Sequence, residues 1–131
     1  MQYVRIVPRE HWDTNKKRFT TLAFKPSSDD GISVIEKQCL SEISATVCDH
    51  VRKHYPHISG EPPIFWEFPD NILPPSVRFI PIPSDRGDLC HRDVSGLSEK
   101  EARKIFKGVS LEEFSVCTNG NHRGLRVSDL P

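Results

Sequence analysis

The stretch "GDLCHRDVSGLSEKEARKIFKG", residues 87–108, joins a β-type run to a helix that carries its own start and stop signals. Ser98 and Glu101 match the S-x-x-E capping box, in which each side chain binds the other residue's backbone N–H. Gly108 stands where helices commonly end. The spacing therefore predicts a helix over 99–107 that follows a strand.

One side of this helix is apolar at helical spacing, with Ala102, Ile105 and Phe106. The other positions carry cations, namely Lys100, Arg103, Lys104 and Lys107. A helix with one apolar stripe buries that stripe against another layer of the protein. We therefore expect this helix to pack on a sheet.

The remaining strand signals lie on both sides of a second predicted helix. Before that helix lie "YVRIV" and then "RFTTLAF" and "ISVI", the last two on either side of a turn at 26–31. After it lie the proline-bracketed runs "IFWEF" and "VRFIPI". Prolines confine the last two to edges or irregular pairings. Ile43, Val47, Val51 and Tyr55 recur every four residues, which predicts a helix from an N-cap at Ser41 to a stop at Pro56.

These signals predict an α+β fold, in which two main helices pack on a small mixed or mostly antiparallel sheet. The 131 residues are the size of one ordinary domain. We expect a single compact domain over 1–117. The segment 118–131 is rich in turn formers and predicts a loop or a flexible C-terminal tail.

Composition restricts the partners. Lys plus Arg and Asp plus Glu are equal at 18 each, so only a local patch would attract nucleic acid. No apolar run approaches the roughly 20 residues of a membrane span, and the charged start "MQYVRIVPREHW" is unlike a signal peptide. The sequence predicts a cytoplasmic protein without a membrane partner. Its four cysteines, at 39, 48, 90 and 117, are then expected to be buried free thiols.

The tetrad from Cys90 to Asp93 admits two interpretations. Cys90 as a nucleophile needs a base, and neighbours on a strand point to opposite faces, so the base would come from elsewhere than His91. The structural alternative places Leu89 or Cys90 in the core, while His91 and Asp93 share the other face and contact each other or solvent. We expect Cys90 to be structural and His91 to be the member with a functional role.

The run "CDHVRKHYPH" raises the question of a metal site. His50 and His54 stand at i and i+4, as zinc-binding histidines do, but Cys48 lies about 200° around the helix from His50. We predict no bound metal and no cofactor. If a metal binds, the ligands are expected to be His50, His54 and His57.

A polar loop at 27–31 precedes Ser33 in the chain. Hydroxyls and a turn glycine, with Arg5 and Arg18 nearby if the first strands pair, suit a phosphate or a ribose. Asp29 and Asp30 argue against a phosphate in the loop itself. Asp30 is nevertheless a candidate binding residue.

Three short blocks carry a resemblance. The features "VRIVPREHW", "LAFKPSSDDGISV" and "DLCHRDVSGL" before a helix resemble a group of short bacterial proteins with no established activity, over residues 4 to about 107. The resemblance implies that Arg5, Ser33 and His91 lie in one site. An arginine on the first strand, a later serine and a distal glutamate, Glu67 or Glu113, are also similar to ADP-ribosyl-transferring folds.

Two functions remain open. The first is a non-catalytic module that binds a protein or nucleotide partner through "IFWEF" and the neighbouring polar groups Arg92 and Asp30. Phe65, Trp66 and Phe68 cannot all point to one side of a strand, so one of them is expected outside as an anchor. The alternative is a small nucleotide- or nucleic-acid-processing enzyme, ADP-ribosyl-transfer-like or associated with toxins or phage defence. It would use His91 with Ser33 and an anion-holding Arg5 or Arg92.

Overall fold

The computed structural model describes residues 1–24, 32–54, 64–81, 87–108, 114–118 and 121–124. The strands in these ranges are β1 (Gln2–Val7), β2 (Trp12–Asp13), β3 (Arg18–Phe19), β4 (Ile32–Glu36), β5 (Ile64–Pro69), β6 (Arg78–Pro81), β7 (His91–Ser95), β8 (Phe114–Thr118) and β9 (Asn121–Gly124). The α-helices are α1 (Lys37–Glu42), α2 (Val47–His54) and α3 (Glu99–Gly108). Short 3₁₀ turns cover Arg9–His11, Thr21–Phe24 and Asp70–Ile72.

Within the described residues, seven strands form one sheet in the order β6-β7-β4-β1-β5-β8-β9, and β2 and β3 form a separate hairpin. Every neighbouring pair in the large sheet is antiparallel. The predicted α+β class with a mostly antiparallel sheet is therefore confirmed. None of the helices in the described ranges is long and apolar enough to cross a membrane.

Two apolar clusters lie on opposite faces of the sheet. The face on which α3 packs, called the α3 face, contains Tyr3, Val7, Ile32, Val34, Ile64, Trp66, Phe68, Val94, Ala102 and Phe106 among its buried residues. The face covered by α1 and α2, called the α1/α2 face, contains Val4, Ile35, Leu40, Val47, Cys48, Val51, Phe65 and Cys90. Alternation along the strands divides the side chains between the two faces.

The helix α3 forms where the sequence predicts it. The Ser98 N–H donates to Glu101 Oε1 at 3.2 Å, and the Glu101 N–H donates to Ser98 Oγ at 3.1 Å. Hydrogen bonding with Ser98 lowers the pKa of Glu101. Ala102 and Phe106 are buried, and the Phe106 ring stacks on Trp66 with centroids 4.6 Å apart.

The prediction of a single helix that begins after Ser41 is wrong, because two helices share this segment. The chain forms α1 up to Glu42, turns through Ser44 in the left-handed region at φ 54°, and begins α2 at Val47. A residue in that conformation closes a helix, and the Ala45 N–H accordingly donates to Leu40 O at 2.9 Å. Ile43 is consequently 55% exposed.

The other part of that prediction holds. Val47 and Val51 are buried on α2, as the four-residue period indicates. Thr46, rather than Ser41, caps α2 by accepting the Asp49 N–H on its Oγ1 at 3.1 Å. Tyr55 lies outside the described residues.

The expectation of an exposed aromatic on β5 is wrong. Phe65, Trp66 and Phe68 are 0%, 1% and 0% exposed. The three side chains do point to different sides of the strand, but β5 pairs with β1 and β8 inside the sheet, and helices cover both faces. The flanking prolines therefore did not place β5 at an edge. β6 does lie at one edge of the described sheet.

The segment predicted as a C-terminal loop or tail contains a strand. β9 pairs antiparallel with β8, with Thr118 opposite Asn121 and Ser115 opposite Gly124. Residues 121–124 are therefore part of the sheet.

The prediction of free thiols is also wrong. Cys39 on α1 and Cys90, in the turn before β7, form a disulfide with Cα atoms 5.4 Å apart. Cys48 is disulfide-bonded as well. The side chain of Cys117 lies outside the described part of the structure. A pairing across 51 residues of sequence leaves no local spacing signal, which is why the sequence did not reveal it.

Candidate functional site

Pairing of β4 with β7 brings a serine, a histidine and an aspartate together. Ser33 lies opposite Asp93, and Ile35 lies opposite His91. Directly opposite residues of antiparallel strands share a face, and Ile35 belongs to the α1/α2 face. The side chains of Ser33, His91 and Asp93 therefore all lie on that face, as the period-of-two interpretation of His91 and Asp93 predicted.

Both neighbours approach the same nitrogen of the histidine. Ser33 Oγ and His91 Nε2 lie within hydrogen-bonding distance. Asp93 Oδ1 lies 3.5 Å from His91 Nε2, and the His91 and Asp93 side chains are 10% and 6% exposed. Ser33 is half-buried. These three side chains form a nearly enclosed polar cluster, which we call the Ser33–His91–Asp93 cluster.

The proton on Nε2 decides what this cluster does chemically. When Nε2 carries the proton, it donates to Ser33 Oγ. When Nε2 is unprotonated, the Ser33 hydroxyl donates to it. The arrangement differs from a Ser-His-Asp triad, because the aspartate of a triad binds the ring nitrogen opposite to the serine. The cluster is suited to sharing a proton between His91 and Ser33.

The structure places Arg5 behind Ser33. Arg5 alternates with Tyr3 and Val7 and so points to the α3 face. Its Nε and Nη2 donate to Ala23 O at 3.0 and 2.8 Å, and its Nη1 donates to Ser33 O at 2.9 Å. Burial lowers the pKa of Arg5 to about 10. Arg5 contacts the Ser33 backbone from one face, while the Ser33 side chain meets His91 on the other.

Arg92 is also on the α3 face, opposite Val34. Its Nε donates to Glu36 Oε2 at 2.9 Å, and its Nη1 donates to the carbonyl oxygens of Leu89 and His91. Arg92 therefore fixes the turn before β7 to the end of β4. The structure does not bring Arg92 to His91's side of the sheet.

Sequence reasoning overlooked Asp88. This residue is 0% exposed, its Oδ1 accepts the Cys90 N–H at 2.9 Å, and the same oxygen lies 2.8 Å from His50 Nε2. The side chains of His50 and Asp88 are 2% and 0% exposed. An aspartate that binds the N–H two residues on forms an Asx turn, and this was the available signal in "GDLC".

The predicted metal ligands divide between this pair and the undescribed part of the chain. The His50 and His54 rings lie 4.6 Å apart, as their i, i+4 spacing requires. Among the described residues, no group of three or more histidine, cysteine, aspartate or glutamate side chains is arranged to hold a metal ion. His57, Asp30 and the polar loop at 27–31 lie outside the described residues.

Of the two glutamates considered with Arg5 and Ser33, only Glu67 is among the described residues. Glu67 shares the α1/α2 face with Phe65, and its Oε2 accepts a hydrogen bond from Lys37 Nζ at 3.3 Å. This contact anchors the start of α1 rather than meeting His91. Glu113 lies outside the described residues.

Strand alternation does not separate Cys90 from His91. Cys90 lies in the turn that precedes β7, and its side chain packs in the cluster of the α1/α2 face, which is also the face of His91. The expected burial of Cys90 is confirmed at 0% exposure. Its sulfur belongs to a disulfide, so it is not available as a nucleophile in this structure.

In comparisons with known proteins, no family model, no curated protein and no solved structure matches the chain. The resemblance to short bacterial proteins therefore stays an expectation from the sequence.

Proposed function

We propose that the protein is a small enzyme in which His91 transfers a proton and Ser33 relays it to a nucleotide-class substrate. The observation that carries this proposal is the contact of Ser33 Oγ with His91 Nε2, with a carboxylate at the same nitrogen. Histidine changes charge near neutral pH and is the commonest general acid or base. In this proposal Asp93 stabilises the positive charge while His91 holds the proton.

The placement of the arginines limits the part of the substrate that meets this cluster. Arg5 and Arg92 both point to the α3 face, away from His91. Arg5 is therefore a positioning residue, because it holds the Ser33 carbonyl. We assign a sugar hydroxyl, rather than a phosphate, as the group that hydrogen-bonds to the cluster. The Asp93 carboxylate repels an anionic phosphate but does not repel a neutral hydroxyl.

Adenosine and AMP are the probes that test this assignment. The ring Cε1–H signals of His91 and His50 are followed by NMR during titration with each compound. We expect both compounds to shift the His91 signal, because they share the ribose, and to leave the His50 signal in place. Inorganic phosphate alone is expected to shift neither.

Two serine variants separate a site from a general surface effect. Ser33→Ala is expected to abolish the adenosine-induced shift of His91. Ser95→Ala is the matched control, because Ser95 lies on β7 at the same alternation as His91 and Asp93. A His91 signal that ignores both compounds in the wild type contradicts the substrate class, and an equal effect of both variants contradicts the role of Ser33.

A non-catalytic module that binds a protein partner is the second candidate. Its support is no longer the aromatic segment but two exposed apolar side chains beside the Cys39–Cys90 disulfide. Leu89 precedes Cys90 and is 71% exposed, and Ile43 lies one helical turn after Cys39 and is 55% exposed. Exposed apolar side chains held by a rigid support are typical anchors for a partner.

The two candidates predict different effects for one substitution. Leu89→Arg is expected to abolish capture of a protein partner and to leave the His91 response to adenosine intact. Leu22→Arg is the control, because Leu22 is 54% exposed in the 3₁₀ turn Thr21–Phe24, away from the disulfide. Equal capture by wild type and Leu89→Arg contradicts the binding module.

We further propose a cytoplasmic location and a bacterial setting related to toxins or phage defence, as the sequence led us to expect. Gene neighbours are the observation that tests the setting. The location matters chemically, because the cytoplasm keeps most thiols reduced whereas this fold contains a disulfide.

A further inference from the structure

The disulfide joins a weakly supported element to a well-supported one. α1 has only six residues, and its N-cap residue Glu36 makes no capping hydrogen bond with its side chain. The Glu36 carboxylate binds Arg92 instead. Helices this short are not stable by themselves in water. Leu40 is the buried residue of α1, so the position of α1 depends on Leu40, on the Lys37–Glu67 contact and on the disulfide.

The other end of the disulfide is held without it. The Cys90 N–H donates to Asp88 Oδ1 at 2.9 Å, and Cys90 O accepts the Glu36 N–H at 3.0 Å. β7 is also paired with β4 on one side and β6 on the other. Loss of the sulfur–sulfur bond therefore affects α1 much more than β7.

We infer that the Cys39–Cys90 bond is a redox latch that holds α1 over the apolar cluster of the α1/α2 face. The co-reactant is a dithiol reductant. One thiolate of the dithiol attacks the half-buried Cys39, because Cys90 is fully buried. The Cys39–Cys90 bond breaks, and Cys90 leaves as a thiolate that takes up a proton. The second thiol of the reductant then attacks the mixed disulfide between the reductant and Cys39. Cys39 is released as a thiol, and the reductant becomes an intramolecular disulfide.

The consequence is local. In the reduced protein α1 detaches, Leu40 leaves the cluster, and Val4, Ile35 and Phe65 lose part of their cover. The Ser33–His91–Asp93 cluster keeps its geometry, because both of its strands remain paired. This inference therefore stands independently of any catalytic role of His91.

Amide hydrogen exchange tests the latch. Dithiothreitol is added under native conditions, and intact mass establishes that the bonds are reduced. We expect the amides of Ile43 and Ala45, which donate to Cys39 O and Leu40 O, to exchange at least about tenfold faster after reduction, as amides in locally opened segments do. The amides of Tyr3 and Val4 in β1 are expected to keep their protection.

A double variant isolates this bond from the disulfide of Cys48. Cys39→Ser combined with Cys90→Ala, without reductant, is expected to reproduce the faster exchange of Ile43 and Ala45. Any of three results overturns the inference. The first is that the bond resists dithiothreitol in the native protein, and the second is that the amides of Ile43 and Ala45 keep their exchange rates after reduction. The third is that the β1 amides lose protection as much as those of Ile43 and Ala45. The last result would show that the bond supports the whole domain.

Discussion

His50 and His91 each lie against an aspartate, but the two pairs differ in distance, burial and position in the chain. His50 Nε2 lies 2.8 Å from Asp88 Oδ1 with both side chains almost fully buried, whereas His91 Nε2 lies 3.5 Å from Asp93 Oδ1 with slightly more exposure. The first pair joins α2 to the turn before β7. The second lies within a single strand and also contacts Ser33.

This difference indicates different roles. A contact between distant parts of the chain restricts the fold, and a buried polar group is costly when its partner is removed. A contact between residues two apart on one strand adds little to the tertiary structure, because strand geometry already places them together. We therefore expect the His50–Asp88 pair to contribute more to stability than the His91–Asp93 pair, to which the proposed function assigns the chemistry.

The largest expected effect is the loss of stability on Asp88→Ala. This change removes the buried carboxylate that accepts the Cys90 N–H and lies 2.8 Å from His50 Nε2, which costs about 3 kcal/mol. Asp93→Ala is the matched change in the other pair, and we expect it to cost about 1 kcal/mol. Chemical denaturation in non-reducing buffer measures both. Equal losses would remove the distinction between the pairs.

The next effect concerns the helix that carries His50. Val47→Ala is expected to lower the free energy of unfolding by about 1 to 3 kcal/mol, because Val47 is buried on α2. Ile43→Ala, in the exposed segment between α1 and α2, is expected to cost less than about 0.5 kcal/mol. If Val47→Ala and Ile43→Ala lowered the free energy of unfolding by similar amounts, α2 would not be the element that supports the His50–Asp88 pair.

The smallest effect on stability is expected from Ser33→Ala, at less than about 1 kcal/mol, because this change removes one hydrogen bond from a half-buried site. Its effect on His91 is expected to be specific. The ¹⁵N signal of His91 Nε2 should move, since Ser33 Oγ contacts that atom. The signals of His50 should stay in place. Movement of both rings would mean that the two pairs are coupled through the sheet.

Several parts of the fold were predictable because their causes are local. The capping box of Ser98 and Glu101 marks where α3 begins, and the period of its apolar residues indicates which side packs on the sheet. Alternation along β7 likewise places His91 and Asp93 on one face. In the candidate site, that pair was therefore predictable, and its contact with Ser33 was expected only through a resemblance.

The break between α1 and α2 was not predictable from periodicity. Ile43 fits the same four-residue repeat as Val47 and Val51, and nothing in the repeat itself excludes one continuous helix. The left-handed conformation of Ser44 interrupts it. That conformation lets Leu40 and Val47 both reach the α1/α2 face from two helices, which is a tertiary requirement.

By itself, the sequence determined the class of the fold, the strand β1, the helix α3 and the shared face of His91 and Asp93, because these depend on residues within a few positions of one another. Only the tertiary structure decided the Cys39–Cys90 disulfide, the His50–Asp88 contact and the burial of all three β5 aromatics. Each of these depends on which distant segments the sheet order brings together. Spacing along the chain does not encode that order, because antiparallel pairing joins segments across long and variable stretches of sequence.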